Sequence, residues 1–144
     1  MAHAENRITI NRPVSTVFDF VLDGANNMLW RPSVTDVTPL TAKPYSVGSA
    51  FKQGLKGPGG RIDGDYKLTE YQLNQFIKFE VTAGPARPTG TYLFETDGNS
   101  TVITFILDYQ AKGLAKLMEP MINQSMKSEV GMLSNLKSYL EAHS

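Results

Sequence analysis

The feature that most restricts the fold is a change of period along the chain. In "TDVTPL", "GSAFKQGLK", "RIDGDYKLTEYQ", "QFIKFEVTA", "TGTYLFET" and "STVITFILDYQ" apolar and polar residues alternate, the period of a half-buried strand. From Leu114 to Ala142 the spacing becomes three and four, the period of a helix with one apolar face. "GPGG" and "DGNS" link successive strands through turn residues, and links that short fit an antiparallel meander, not parallel crossovers. Strands in one block with helices outside it specify an α+β fold.

Ahead of that block "RITI" is a short β-prone start. In "NRPVSTVFDFVLDG" the residues Val14, Val17, Phe18, Val21 and Leu22 have helical spacing, with Pro13 suited to a first turn and Gly24 to an end. "ANNMLWRPSV" predicts a second short helix, closed where Pro32 pushes Arg31 out of the helical region. The final segment, at about 1.5 Å per residue, is roughly 42 Å long, enough to cross a small domain. The 144 residues are read as one domain, 1–144.

Composition removes several function classes. There is no cysteine, so disulfides and thiolate metal sites are excluded. Fourteen bases balance fourteen acids with no basic run, so the footprint of a nucleic-acid binder is missing. No apolar run approaches the ~20 residues of a membrane helix, and "MAHAENRITI" has no signal-peptide core, so the expected location is the cytoplasm. His3 and His143 are the only histidines, at ends expected to fray, which argues against a triad or a His metal site. "GPGG" lacks the Gly-Lys-Ser/Thr of a phosphate loop. Neither a metal nor a cofactor is expected. Asp63 and Asp65 are placed on the outer face of one strand, as solvated surface.

On the last helix Met118, Ile122, Met126, Glu129, Leu133, Leu136 and Leu140 form one stripe. Methionines suit a wall that adapts to varied apolar partners, or simply fill gaps. Pro120 either bends the helix or marks its first turn, with 113–119 a separate turn. Glu129 is the anomaly, because an unpaired carboxylate in apolar packing is costly. It needs a wet cavity or a partner such as Arg, Tyr or Gln, or else it lies at the helix boundary in water. On the strands, alternation turns inward Phe51, Gln53 and Leu55; Gly64, Tyr66 and Leu68; Ile77, Phe79 and Val81; Tyr92 and Phe94; Ile103, Phe105 and Leu107. This apolar lining, with polar atoms from Gln53, Tyr66 and Tyr92, has the composition of a small-molecule pocket or of a solid core. Trp30 caps such a pocket or anchors its helix; Arg31 holds an anionic group or faces water. Candidate ligand-binding residues are Trp30, Phe51, Gln53, Tyr66, Phe79, Tyr92, Phe94, Phe105, Met118, Ile122, Met126 and Leu133. The outward Val102, Thr104 and Ile106 are unusually apolar, the mark of a partner surface such as a homodimer's.

The words "PVSTVFDFVLD", "NNMLWRPSV", "VGSAFKQGLKGPGGRIDGDYKLTEYQ", "GTYLFETDGNSTVITF" and "KGLAKLMEPM", in that order, resemble the START-like (helix-grip, SRPBCC, Bet v 1-like) superfamily, and within it the polyketide cyclase/dehydrase-like proteins. The resemblance implies a seven-stranded antiparallel sheet curved around a long C-terminal helix, two short helices after the first strand, and a hydrophobic cavity between sheet and helix. It supplies no catalytic motif. Two activities follow as expectations. One is binding of a small hydrophobic or amphipathic molecule: an aromatic, a polyketide or a lipid-like chain. The other is a cyclase in which Glu129 moves a proton, with Tyr66, Tyr92 and Gln53 as helpers. A third, complex assembly through the outer face of the last strand, rests on composition alone.

Overall fold

The computed structural model describes residues 2–143, the side chain of Ala115 apart. The chain runs β1 (Ala2–Ile10), α1 (Val14–Leu22), a 3-10 turn (Gly24–Asn26), α2 (Asn27–Trp30), β2 (Val34–Pro39), β3 (Ala50–Gly57), β4 (Gly60–Asp63), β5 (Tyr66–Gln72), β6 (Phe76–Val81), β7 (Thr89–Asp97) and β8 (Ser100–Tyr109). A 3-10 segment (Gly113–Met118), α3 (Glu119–Gly131) and α4 (Leu133–Ala142) close it. Seven strands form one antiparallel path, β1-β8-β7-β6-β5-β3-β2, and the short β4 pairs with β3 beside it. The inner face of this curled sheet packs on α1, α3 and α4, the helix-grip arrangement the resemblance implies.

Two details differ from the sequence reading, and a third decides between alternatives it left open. The first strand starts at Ala2, not at "RITI", because Ala2, Ala4, Ile8 and Ile10 continue one inward face along the whole length of β8. His3 therefore sits in a paired strand, where its ring meets the carboxylates of Asp108 and Glu5. "RIDGDYKLTEYQ" is two strands. At the break the Asp65 carboxylate takes the backbone N–H of Gln53 at 3.1 Å, while Asp63 stays outside on Arg61, so the two aspartates share no face. The terminal helix is also segmented. Pro120 lies in the first turn of α3, where its missing N–H leaves nothing unpaired, and the preceding residues form the separate turn. At Met132 the winding tightens to an i→i−3 bond, Met132 N–H to Glu129 O at 3.0 Å. The Val130 carbonyl at this break receives Asn6 Nδ2 of β1 at 3.1 Å.

Met126, Val130, Leu133, Leu136 and Leu140 are the buried face of the two helical pieces. The outer face of β8 is better covered than composition suggests. Arg7 of β1 and Glu95 of β7 pair at 3.5 Å across it, and Thr104 between them is buried.

Candidate functional site

Strand register gathers the inward rings into one chain. Tyr66 lies opposite Phe51 and stacks on it at 4.9 Å; Tyr92 lies opposite Phe105 and stacks at 4.4 Å. Phe79 joins the two pairs, 5.5 Å from Tyr66 and 5.8 Å from Tyr92. Its ring lies over Gly90, the residue opposite it on β7, where an added Cβ would come within 2.1 Å of the ring. Trp30 ends the chain edge-on to Phe105 at 6.3 Å, and Tyr45 starts it 5.0 Å from Phe51. Phe94 stands apart, edge-on to Phe18 of α1 at 5.2 Å.

Polar groups enter this interior from the short helices. Asn27 of α2 is buried and its Nδ2 donates to Gln53 Oε1 at 2.9 Å and to the Tyr66 hydroxyl at 3.0 Å; Gln53 in turn donates to the Gly64 carbonyl. The 3-10 turn can press against Tyr66 because residue 24 is glycine: a Cβ there would lie 2.0 Å from the hydroxyl. Burial raises the pKa of the Tyr66 phenol, and pushes that of Tyr92 up to about 12 against the opposing pull of the Arg31 charge. Both remain neutral hydrogen-bonding groups at physiological pH.

Arg31 ends α2 and turns inward, its guanidinium 5.9 Å over the Trp30 ring. Nε and Nη2 donate to Glu129 Oε2 at 3.2 and 3.1 Å, and the Ser33 hydroxyl donates to the other carboxylate oxygen. Burial, the largest single effect, would weaken the arginine's hold on its proton; the Glu129 charge, Tyr92, Tyr66 and the Glu129 hydrogen bonds together outweigh it and raise the pKa. Glu129 thus has an arginine partner, as one sequence alternative allowed, but from the α2–β2 turn. Arg31 is buried, so of the two sequence alternatives for it the one that faces water does not hold. This pair ties the short-helix segment to α3 just before the break at Met132.

Between these groups the enclosed space measures only about 10 Å³, room for roughly one water molecule. Val21, Leu22, Asn27, Arg31, Tyr66, Leu68, Ile77, Phe79 and Tyr92 border it. At this space the rings of the sheet leave no ligand-sized hollow. Of the candidate residues Tyr66, Phe79 and Tyr92 border the space. Trp30, Phe51, Gln53, Phe94, Phe105, Met126 and Leu133 are buried around it, Ile122 is half-buried, and Met118 is 47 % exposed. Glu129 is not on its wall. Asn27, Ser33 and the inward turn of Arg31 escape sequence reading, since a polar residue in a four-residue helix has no periodicity to reveal its face. The buried indole N–H of Trp30 lacks a partner among the described residues, and the Glu129 bonds of Arg31 use Nε and Nη2 but not Nη1. The Tyr92 hydroxyl likewise makes no hydrogen bond to a described residue. Among the described residues no three His, Asp or Glu side chains gather to hold a metal ion, and no helix is long and apolar enough to cross a membrane.

A curled antiparallel sheet closed by C-terminal helices over an aromatic interior defines a START-like, helix-grip protein. The chain belongs to the family described as polyketide cyclase / dehydrase and lipid transport, whose model matches residues 1–141. Solved structures share the fold at low identity. A START superfamily protein from Mycobacterium smegmatis is 14% identical with a TM-score of 0.83, each chain covered in full. The Zhui aromatase/cyclase from Streptomyces sp. R1128 is 15% identical with a TM-score of 0.72, over 93% of this chain and 90% of that one. Ara h 8.0201 is 12% identical with a TM-score of 0.75, over 98% of each. No curated protein matches the chain by sequence.

Proposed function

We propose that the protein binds a small, mainly apolar molecule carrying one oxygen function, such as an aromatic or polyketide carbonyl or phenol, between the sheet and the short-helix segment. The observation that carries this reading is the pairing of Arg31 and Tyr92 on one enclosed space, with donor capacity that the described residues leave unused. These donors face a space among aromatic rings, so an oxygen of a guest can take the bonds that a single water would otherwise take. The aromatic walls supply the affinity, at about 25 cal/mol per Å² of apolar area covered. A drug-sized guest needs a pocket of roughly 300–1,000 Å³, so binding requires the α1–α2 segment to move away from the sheet.

The cyclase reading has less support. Glu129, its candidate proton carrier, is engaged by Arg31 and Ser33 and lies off the wall of the space. Aromatase/cyclase activity in the named neighbour of similar fold keeps the reading in view. A homodimer through β8 has the least, because the Arg7–Glu95 pair lies across that face.

The test is calorimetric titration with a planar naphthol and with naphthalene itself, against wild type and Tyr92→Phe. Loss of one neutral hydrogen bond, about 0.5–1.5 kcal/mol, should weaken the naphthol roughly 2- to 13-fold and leave naphthalene unchanged. No measurable heat or spectral change with either compound would end the binding reading. Native mass spectrometry of the purified protein would name the natural guest.

A further inference from the structure

Outside the interior an open cleft of about 490 Å³ lies between the C-terminal end of α1 and the β2–β3 connection. Asp19, Leu22 and Asp23 form one side; Lys43, Pro44 and Tyr45 form the other. Leu22 borders both this cleft and the inner space. The aromatic chain crosses the same boundary. Tyr45, on the cleft, lies 5.0 Å from Phe51, which stacks on Tyr66 of the inner wall.

We infer that this cleft is the vestibule of the ligand site and that Leu22 is its gate, an assignment that rests on the binding reading above. Leu22 is the last residue of α1; at Asp23 the backbone leaves the helix, so the side chain is held by a terminal turn, the part of a helix most given to fraying. The clasp across the cleft is the ion pair of Lys43 Nζ with Asp23 Oδ2 at 3.1 Å. Lys43 is 68 % exposed, and a solvated pair of that kind holds weakly and re-forms readily. Two carboxylates face one ammonium here, which disfavours an anionic visitor. Leucine, proline and tyrosine surfaces receive an apolar one. The molecule that enters is uncharged and ring-bearing, and it passes from Tyr45 to the Tyr66–Tyr92 wall when Leu22 swings aside together with the α1–α2 segment.

A rival entrance would lie at the other end of the molecule, where Leu114 and Leu117 on the 3-10 segment are 85 % and 80 % exposed. The two routes separate by kinetics. The probe is N-phenyl-1-naphthylamine, an uncharged aromatic amine whose fluorescence rises in apolar surroundings, mixed in stopped flow with wild type, Leu22→Ala, Lys43→Gln and Leu117→Ser. A gate changes entry and exit together. Leu22→Ala should therefore raise kon and koff by about tenfold or more, within the one to three decades open to variants of one site, with koff rising further than kon because Leu22 also borders the inner space. Lys43→Gln, on the surface and harmless to folding, should raise both about two- to fivefold by releasing the clasp, and decides the matter if Leu22→Ala does not fold. Leu117→Ser should leave all three constants unchanged. Rates indifferent to residues 22 and 43, or rates that follow Leu117, overturn the vestibule while leaving binding intact. Failure of the wild-type protein to bind the probe up to its solubility limit overturns both readings.

Discussion

The carboxylate of Glu129 lies 3.1 Å from the guanidinium of Arg31, ninety-eight positions earlier, with both side chains nearly out of water. The pair fastens the α2–β2 turn to α3 and keeps an arginine charged beside the aromatic chain. Removing one partner leaves the other buried without its counter-charge, the costly half of any buried ion pair. Glu129→Leu should therefore destabilise the fold by roughly 3–5 kcal/mol. Replacing both, Arg31→Met with Glu129→Leu, should recover most of that loss, because two apolar side chains of similar volume need no compensation. Urea denaturation of the four proteins of this cycle measures the coupling; equal and additive losses would show that the pair is not the link described here.

Gly24 is the point where the backbone of the 3-10 turn meets the Tyr66 hydroxyl. Gly24→Ala puts a methyl group 2.0 Å from that oxygen and 2.8 Å from the Phe51 ring, so both rings must shift. Overpacking of this kind costs about 1–3 kcal/mol. The shift also separates Tyr66 from Asn27, and a crystal structure or the chemical shifts of the Asn27 side-chain amide would record that separation. An alanine variant with unchanged melting and unchanged amide shifts would mean that the turn and β5 are not in contact.

His3 reports on the pairing of β1 with β8. Hydrogen bonds to Asp108 first, and to Glu5 second, raise its pKa above the ordinary 6.5. A raised folded-state pKa means that the interaction adds stability below about pH 6.5, where the unfolded histidine is also charged. That contribution fades as pH climbs through the folded-state pKa. The imidazole NMR titration should thus have a midpoint above 6.5, and Asp108→Asn should bring it down toward the ordinary value. The wild type should lose more stability between pH 5.5 and 8.5 than Asp108→Asn does. A midpoint at or below 6.5 would place His3 away from Asp108.

Most of the fold was legible in the sequence because its elements carry full periods. The alternating runs gave the strands and the three-four spacing gave the terminal helix; the resemblance added strand number and curvature. What escaped has short-range or long-range causes that periodicity does not encode. The break in "RIDGDYKLTEYQ" depends on the Asp65 side chain taking a ladder N–H, a contact twelve positions away. The site was half legible. Alternation marked Tyr66, Phe79 and Tyr92 as inward, and they border the enclosed space. The closing of that space depends on how seven rings interlock, which no linear pattern reveals. The burial of Arg31 depends on Glu129, ninety-eight positions away, and no local pattern encodes it.

The helical stripe itself separates core from rim, and two substitutions on it give opposite outcomes. Leu136 is fully buried between α4 and the sheet, whereas Met118, one end of the same sequence stripe, belongs to the 3-10 segment and is half exposed. Leu136→Ala removes buried methyl groups and leaves a cavity that neighbours fill only in part, a loss of about 2–5 kcal/mol. Met118→Ala removes a side chain that already touches water, and should change stability by no more than about 0.5 kcal/mol. Thermal melts of the two variants check this directly. Equal losses would mean that the segment before Pro120 packs as a continuation of α3, with Met118 on the buried face.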